Sequence, residues 1–231
     1  MAVFMFGRSG DSFVVNSTFS ENTWEKIIEA CQLDKVPDSW VVGDQKAMTI
    51  NGTQYMIDII GKYHDTYGDG VGTAPLTFQL HTCYSKMAAM NSASSGNVGG
   101  WEDCAMRNST LPSYLNLMPA AVKANVREVK KTTNGGSALN VIITTRDKLF
   151  LLSQIEVVGT SNLSRAGEGV QYEYYKTASR RIKTRSGQEH AWWLRSPYYN
   201  TADDFCEVYE NGAVGYSDAS ADSGVSFAFC F

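Results

Sequence analysis

The sequence has no Lys or Arg after Arg195, although Asp203, Asp204, Glu207, Glu210, Asp218 and Asp222 all follow it. Those carboxylates exceed the net charge of −4 and leave 20 cations against 18 anions in the first 195 residues. A surface built from the C-terminal end repels phosphates and anionic lipid, which argues against nucleic acid as a partner. Proline is scarce, 5 residues against 20 glycines, which favours a loop-rich fold over a helical bundle. No window approaches the roughly 18 apolar residues of a membrane span, so no membrane insertion is expected. Residues 1–10 place no basic region ahead of a long apolar one; the chain reads as made in the cytoplasm without a secretory signal. The five cysteines, Cys31, Cys83, Cys104, Cys206 and Cys230, are odd in number, widely spaced and free of any CxxC pair, which points to buried thiols. Cys206 and Cys230 are read as possible neighbours on adjacent strands. His64, His81 and His190 form no HExxH or HxxxH pattern, so zinc is not expected. No Gly-x-Ser-x-Gly elbow accompanies His64-Asp65, which reads as a loop hydrogen bond rather than a catalytic dyad. Asp65, Asp69 and Gly70 lack the alternating oxygens and late Glu of a calcium loop. The carboxylates of Asp203, Asp204, Asp218 and Asp222 read as solvated rather than as a calcium site.

What is present is a soluble-protein composition, 43% hydrophobic and 19% charged. Residues 1–20 read as an extended lead-in with one strand-like piece at Phe13-Val14-Val15, and 21–231 as one domain without repeats or linkers. Asn22 and Glu25 predict a capping box for a helix over Thr23–Leu33. Trp40-Val41-Val42 reads as a strand, and Asn51-Gly52 as a hairpin turn between Met48–Ile50 and Tyr55–Ile60. Leu76–His81 alternates as a strand. Residues 64–73 and 90–100 read as loops. Residues 101–118 read as helical, with Ser109 capping a segment that carries Pro112 in its first turn, and Pro119–Asn125 as a further short helix. Strands over Val126–Thr132 and Ala138–Thr144 flank Asn134-Gly135-Gly136, and Lys148–Leu152 reads as a buried strand. Ser153 and Glu156 predict a capped helix that stops at Gly159. Residues 160–190 read as polar, with Arg180, Arg181, Lys183 and Arg185 in a solvated loop. The class is α+β: short antiparallel strands, few helices and long loops around one core.

The character changes at Pro197. Ahead of it stands the stiff run Trp192-Trp193-Leu194-Arg195-Ser196; behind it lie Tyr, Asn, Asp, Ser, Ala, Gly and Thr. Phe205–Tyr209 and Val214 around Asn211-Gly212 read as a hairpin, and Val225–Phe231 as an apolar strand. A small-residue, Tyr-studded stretch held between two core strands reads as a displayed surface over 198–224. Tyr offers contact area at low entropy cost and small polar residues offer adaptable hydrogen bonds. Trp192, Trp193, Leu194, Phe227 and Phe229 are assigned to the scaffold, with Arg195 as a buried or half-buried hydrogen-bonding cation.

Lys148–Ser153, Trp192–Pro197, the Asn211-Gly212 hairpin and the terminal Val225–Phe231, with Trp101–Arg107 and Leu111–Asn116 upstream, resemble prophage and bacterial domains of C-type-lectin-like fold. These belong to the branch related to formylglycine-generating enzymes, and the resemblance covers roughly residues 36–231. Some members are variable proteins of diversity-generating retroelements, in which adenines of Asn codons ending in a pyrimidine are rewritten. Such codons yield Tyr, Asp, Ser, Thr, Ala, Gly, Val, Phe and Cys, but not Glu, Lys or Gln. Between Tyr198 and Ser223 only Glu207 and Glu210 fall outside that set. The resemblance thus implies a hypervariable ligand-binding set: Tyr198, Tyr199, Asn200, Thr201, Ala202, Asp203, Asp204, Tyr209, Ala213, Gly215, Tyr216, Ser217, Asp218, Ala219, Ser220, Ala221, Asp222 and Ser223. It implies a non-enzymatic receptor-binding protein of a phage tail or virion, recognising a cell-surface protein or glycan without a cofactor, with a homo-oligomer or virion protein as further partner. An invariant adhesion module of the same fold is the alternative. A third reading is an oxygen-dependent enzyme of the formylglycine branch, whose copper site uses two cysteines; Cys206 and Cys230 match it by number alone.

Overall fold

The computed structural model describes residues 3–6, 13–137 and 139–231. The reading of a missing leader falls mainly on residues outside that set. In chain order the elements are β1 (Val3–Phe6), β2 (Phe13–Asn16), α1 (Trp24–Gln32), β3 (Gln45–Ile50), β4 (Thr53–Lys62), β5 (Leu76–Leu80), α2 (Gly100–Asp103), a π turn (Met106–Thr110), α3 (Leu111–Leu117), α4 (Ala120–Asn125), β6 (Val129–Gly135), β7 (Leu139–Asp147), β8 (Leu149–Phe150), α5 (Gln154–Val158), β9 (Lys183–Arg185), β10 (Gln188–His190), β11 (Trp192–Pro197), β12 (Asp204–Val208), β13 (Val214–Asp218) and β14 (Ala228–Cys230). The fold is α+β.

A five-stranded antiparallel sheet runs β3-β4-β5-β14-β8, so the last strand of the chain sits inside it. Phe78 of β5 stacks on Phe229 of β14 at 5.4 Å between ring centroids and meets Phe231 at the same distance. Trp24 of α1 packs edge-on against both Phe78 and Phe231. Each such buried aromatic stabilises the fold by about 1.5–3 kcal/mol. The core therefore joins the two ends of the sequence. It also takes in Phe13, Val15 and Phe19, so the lead-in read over residues 1–20 ends earlier: from Phe13 the chain is part of the domain. A second sheet, β11-β12-β13, carries the displayed segment. It is tied to the segments that flank the first sheet, by Trp193 N–H to the Gly224 carbonyl ahead of β14 and Arg195 N–H to the Leu152 carbonyl just after β8.

Several local expectations are corrected. Trp40-Val41-Val42 forms a turn, because Asp44 accepts from the Val41 N–H and Gly43 (φ 102°) turns back onto Ile59. Thr23, not Asn22, caps α1. Asn22 is buried and braces the preceding turn, bonding the Asn16 N–H and the Asn16 and Thr18 carbonyls. Ser109 lies within the π turn and caps nothing. Asn134-Gly135 belongs to β6 rather than to the β6–β7 turn; Ala138 lies outside the described residues. The capping box of Ser153 and Glu156 is present, and Gly159 closes α5 at φ 80°. Lys183 is no solvated loop residue: it is buried on β9, donates to the Leu80 carbonyl at 2.7 Å, and burial lowers its pKa to about 8.

Candidate functional site

β11 leads directly into the displayed segment. Pro197 pairs with Phe205 after a register shift, and the chain then loops from Tyr198 to Asp203 before returning as β12. A distant side chain holds that loop. Buried Asn97 donates its amide to the carbonyls of Thr201 and Asp204, both at 2.9 Å, and of Tyr198 at 3.3 Å. Its backbone N–H bonds the Ala202 carbonyl at 2.7 Å, and its side-chain oxygen accepts from Ser137 N–H. Beside it Gly96 adopts φ 49°, and a Cβ there would stand 2.3 Å from the Ala202 carbonyl oxygen. The loop backbone is thus fixed by residues outside the segment, while Tyr199, Asn200, Ala202 and Asp203 are exposed.

The expected surface set divides into three groups. Tyr199, Asn200, Ala202, Asp203, Tyr209, Ala213, Tyr216, Asp218, Ser220 and Asp222 are exposed; Tyr198, Thr201, Asp204, Ser217 and Ala221 are half-buried. Gly215, Ala219 and Ser223 are buried, which corrects their assignment to the outward face. The Tyr209 ring lies across Gly215, where a Cβ would meet the ring Cζ at 2.0 Å. Ala219 is in the hydrophobic core, with its N–H on Asp203 and its carbonyl on Asn91. Ser223 donates to the buried Glu207 carboxylate at 3.0 Å. Glu207, outside the codon set, is thus an inward structural residue of β12, and burial raises its pKa.

Tyr198 and Tyr216 stack face to face, centroids 3.8 Å apart and planes 6° apart, with Tyr199 edge-on to Tyr198 at 5.5 Å. Arg165, which the sequence reading passed over, places its guanidinium 5.1 Å from the Tyr199 ring. Arg165, Tyr198 and Tyr199 line a cleft of about 110 Å³ with Asn134, Ser137 and Asn140. The face is therefore a tyrosine platform with carboxylates around it and a cation on one flank.

Beneath it the scaffold residues are fully buried: Trp192, Trp193, Leu194, Arg195, Phe227 and Phe229. The two indoles donate to the carbonyls of Arg181 and Ala88. Arg195 grips the Glu156 carboxylate with both terminal nitrogens and donates to Thr133 and to the carbonyls of Leu151, Thr132 and Glu168. Lys131 bonds Asp65, Glu156 and the Tyr172 hydroxyl. Burial is the largest single influence and pushes the Glu156 and Asp65 carboxyls up, but Arg195 and Lys131 together around Glu156, and Lys131, His64 and Thr77 together around Asp65, leave both below their ordinary values. Glu168 receives the Ser196 hydroxyl and the Asn134 N–H, yet burial dominates and raises its pKa to about 7. A cavity of about 510 Å³, lined in part by His64, Asp65, Lys130, Thr132 and Glu156, opens onto this cluster. His64 stacks on Tyr172 at 3.8 Å, so the ring packs beside the Asp65 network. Both carboxylates are spent on fixed cations, which suits a brace better than proton transfer.

Cys206 and Cys230 lie on β12 and β14, in different sheets, which corrects the adjacent-strand reading; burial holds both thiols well above their ordinary pKa. Among the described residues no group of three His, Cys, Asp or Glu side chains is placed to hold a metal, and no helix is long and apolar enough to cross a membrane.

Residues 80–231 match the family described as a domain of unknown function, DUF6273, and the chain belongs to that family. No curated protein and no solved structure matches the chain.

Proposed function

We propose that this protein is a recognition module of C-type-lectin-like fold, resembling the variable proteins of diversity-generating retroelements, and that it binds a cell-surface protein or glycan for a phage or prophage. The observation that carries this reading is the separation of backbone from side chain in residues 198–222. Asn97, Gly96 and the Arg195 brace hold the frame from outside the segment, and about half of the residues within it are exposed, Tyr199, Tyr209 and Tyr216 among them. Exchanging an exposed side chain of this kind changes stability by about 0.5 kcal/mol or less, so one scaffold can carry many surfaces. Tyr198, Tyr199 and Tyr216 act as anchors whose ordering cost is met in advance by their mutual stacking. Several copies on one virion would raise weak single contacts through avidity.

The test is population sequencing of the codons for residues 192–231 together with the flanking DNA. Substitutions at adenines, concentrated in codons for the exposed residues, sparing Ala219, Ser223 and Glu207 and matched by a nearby near-copy, are the expected result. A uniform segment with no near-copy would overturn the diversification reading and leave a fixed adhesion module.

A further inference from the structure

A groove of about 230 Å³ lies between the π turn, α3 and the corner where β7 passes into β8; none of its lining residues comes from the displayed segment. Leu111, Leu115, Leu149 and Pro112 supply its apolar walls, and Arg107, Arg146, Asp147 and Lys148 its polar rim. The one carboxylate among them is spent. Asp147 accepts from Arg107 Nε at 2.6 Å, from Trp101 Nε1 at 3.0 Å and from the Thr145 hydroxyl at 2.6 Å. Arg107 turns its other nitrogens to the carbonyls of Glu102 and Arg146 and to Asn108. That pair is neutral. Arg146 and Lys148 are exposed, and neither side chain has a hydrogen-bond or ion-pair partner among the described residues. An apolar floor with two uncommitted cations at its mouth is the complement of an anion with an apolar body.

The backbone supplies a second, independent observation. Leu111 N–H bonds the Met106 carbonyl five residues back, the signature of a π turn. Such turns are rare, and they recur at functional sites because they re-aim side chains that an α-helix would place elsewhere. Here the turn carries Arg107 and delivers Leu111 to the groove. Size fits as well. An apolar cavity of about 150 Å³ accommodates benzene, so about 230 Å³ has room for a single ring with its acid group at the mouth.

We propose that this groove binds a small aromatic or branched aliphatic carboxylate, the apolar body against Leu111, Leu115 and Leu149 and the carboxylate between Arg146 and Lys148. The site is separate from the displayed face, and its fate does not depend on that reading.

The probe is benzoate, followed by amide chemical shifts of the full chain, with benzamide as the neutral isostere and acetate as the head group alone. Benzoate is expected to move the amides of Arg107, Leu111, Leu115 and Lys148 with a Kd on the order of 1 mM, as a ligand of its size allows. Benzamide should bind about fivefold more weakly, because two exposed cations contribute modestly. Acetate should not saturate. The double variant R146A/K148A alters exposed side chains that also line a shallow cavity beside Asp69 and Glu128 but make no hydrogen bond or ion pair among the described residues, so it should fold; it should weaken benzoate about fivefold and leave benzamide unchanged. Equal binding of benzoate and benzamide, an unchanged benzoate affinity in R146A/K148A, or benzoate shifts absent from the groove would each overturn the proposal.

Discussion

Asn97 clamps the 198–204 loop with one side chain. Its amide collects three carbonyls from Tyr198, Thr201 and Asp204 while its oxygen holds Ser137. Asn97→Ala strips the Thr201 carbonyl and the Ser137 N–H of these bonds, while the Asp204 carbonyl keeps the Tyr198 N–H, and should cost about 2–3 kcal/mol in urea denaturation. Amide exchange should accelerate most over residues 198–204, and an even rise across the chain would argue against a local clamp. Nothing near Asn97 in the sequence announces this role, since it stands in a Ser/Asn/Gly run without periodicity and its partners lie at the other end of the chain. Gly215 was hidden for a similar reason. The small-residue composition of the segment made it look exposed, whereas the Tyr209 ring folds back over it. Tyrosines and aspartates on the face were legible because an apolar core rarely admits them; buried small residues leave no such mark.

β11 is the element through which the face is fastened to the core. All six of its residues are buried, and Arg195 carries the only charge among them. Arg195→Met removes the bidentate partner of Glu156, which then shares Lys131 with Asp65. The expected loss is about 3–5 kcal/mol in a thermal or chemical melt. Adding Glu156→Gln should return part of it, because the stranded carboxylate is then gone; a double variant no better than the single would refute the ion-pair account. The burial of Arg195 was readable from its apolar neighbours, and Glu156 was readable only as a helix cap. Their meeting was not, since it depends on α5 docking against β11. The three Asn-Gly pairs make the same point. Asn51-Gly52 forms the tight two-residue turn the pair predicts, both residues at positive φ. Asn211-Gly212 closes a longer hairpin in which only Gly212 turns left-handed. Asn134-Gly135 stays in β6 because Gly135 and Gly136 press against Gly100 and Asn97, a tertiary contact that no local signal encodes.

At the scale of the molecule, the buried cluster couples stability to pH in two opposite ways. Asp65 and Glu156 have depressed pKa values, so their contribution is present at neutral pH and is lost as pH falls through the folded-state values. Glu168 is raised from 4.5 to about 7, so the fold binds its proton more tightly than the unfolded chain does. Stability from that group is full below pH 4.5 and declines as pH rises to about 7, by on the order of 2–3 kcal/mol. Burial lowers the His64 pKa, and that contribution grows with pH over the same interval, so Glu168 is read by difference: the melting temperature of Glu168→Gln relative to the parent should rise between pH 4.5 and about 7, and a constant difference would place the titration elsewhere. The α+β class followed from the alternation of short strands and capped helices. The order of the five-stranded sheet did not, because pairing partners come from opposite ends of the chain. The family match begins at Leu80 and leaves out β3 and β4, members of the same sheet as β14.

β14 joins β5 to β8, yet it is encoded downstream of every displayed side chain. A frameshift or stop codon anywhere in residues 198–224 deletes the strand that links the two parts of the sheet, and Phe227, Phe229 and Phe231 of the core go with it. Only messages read through in frame give a polypeptide that closes its core, and the remainder stay open to proteolysis. Closure of the core therefore waits on in-frame translation through the whole displayed segment.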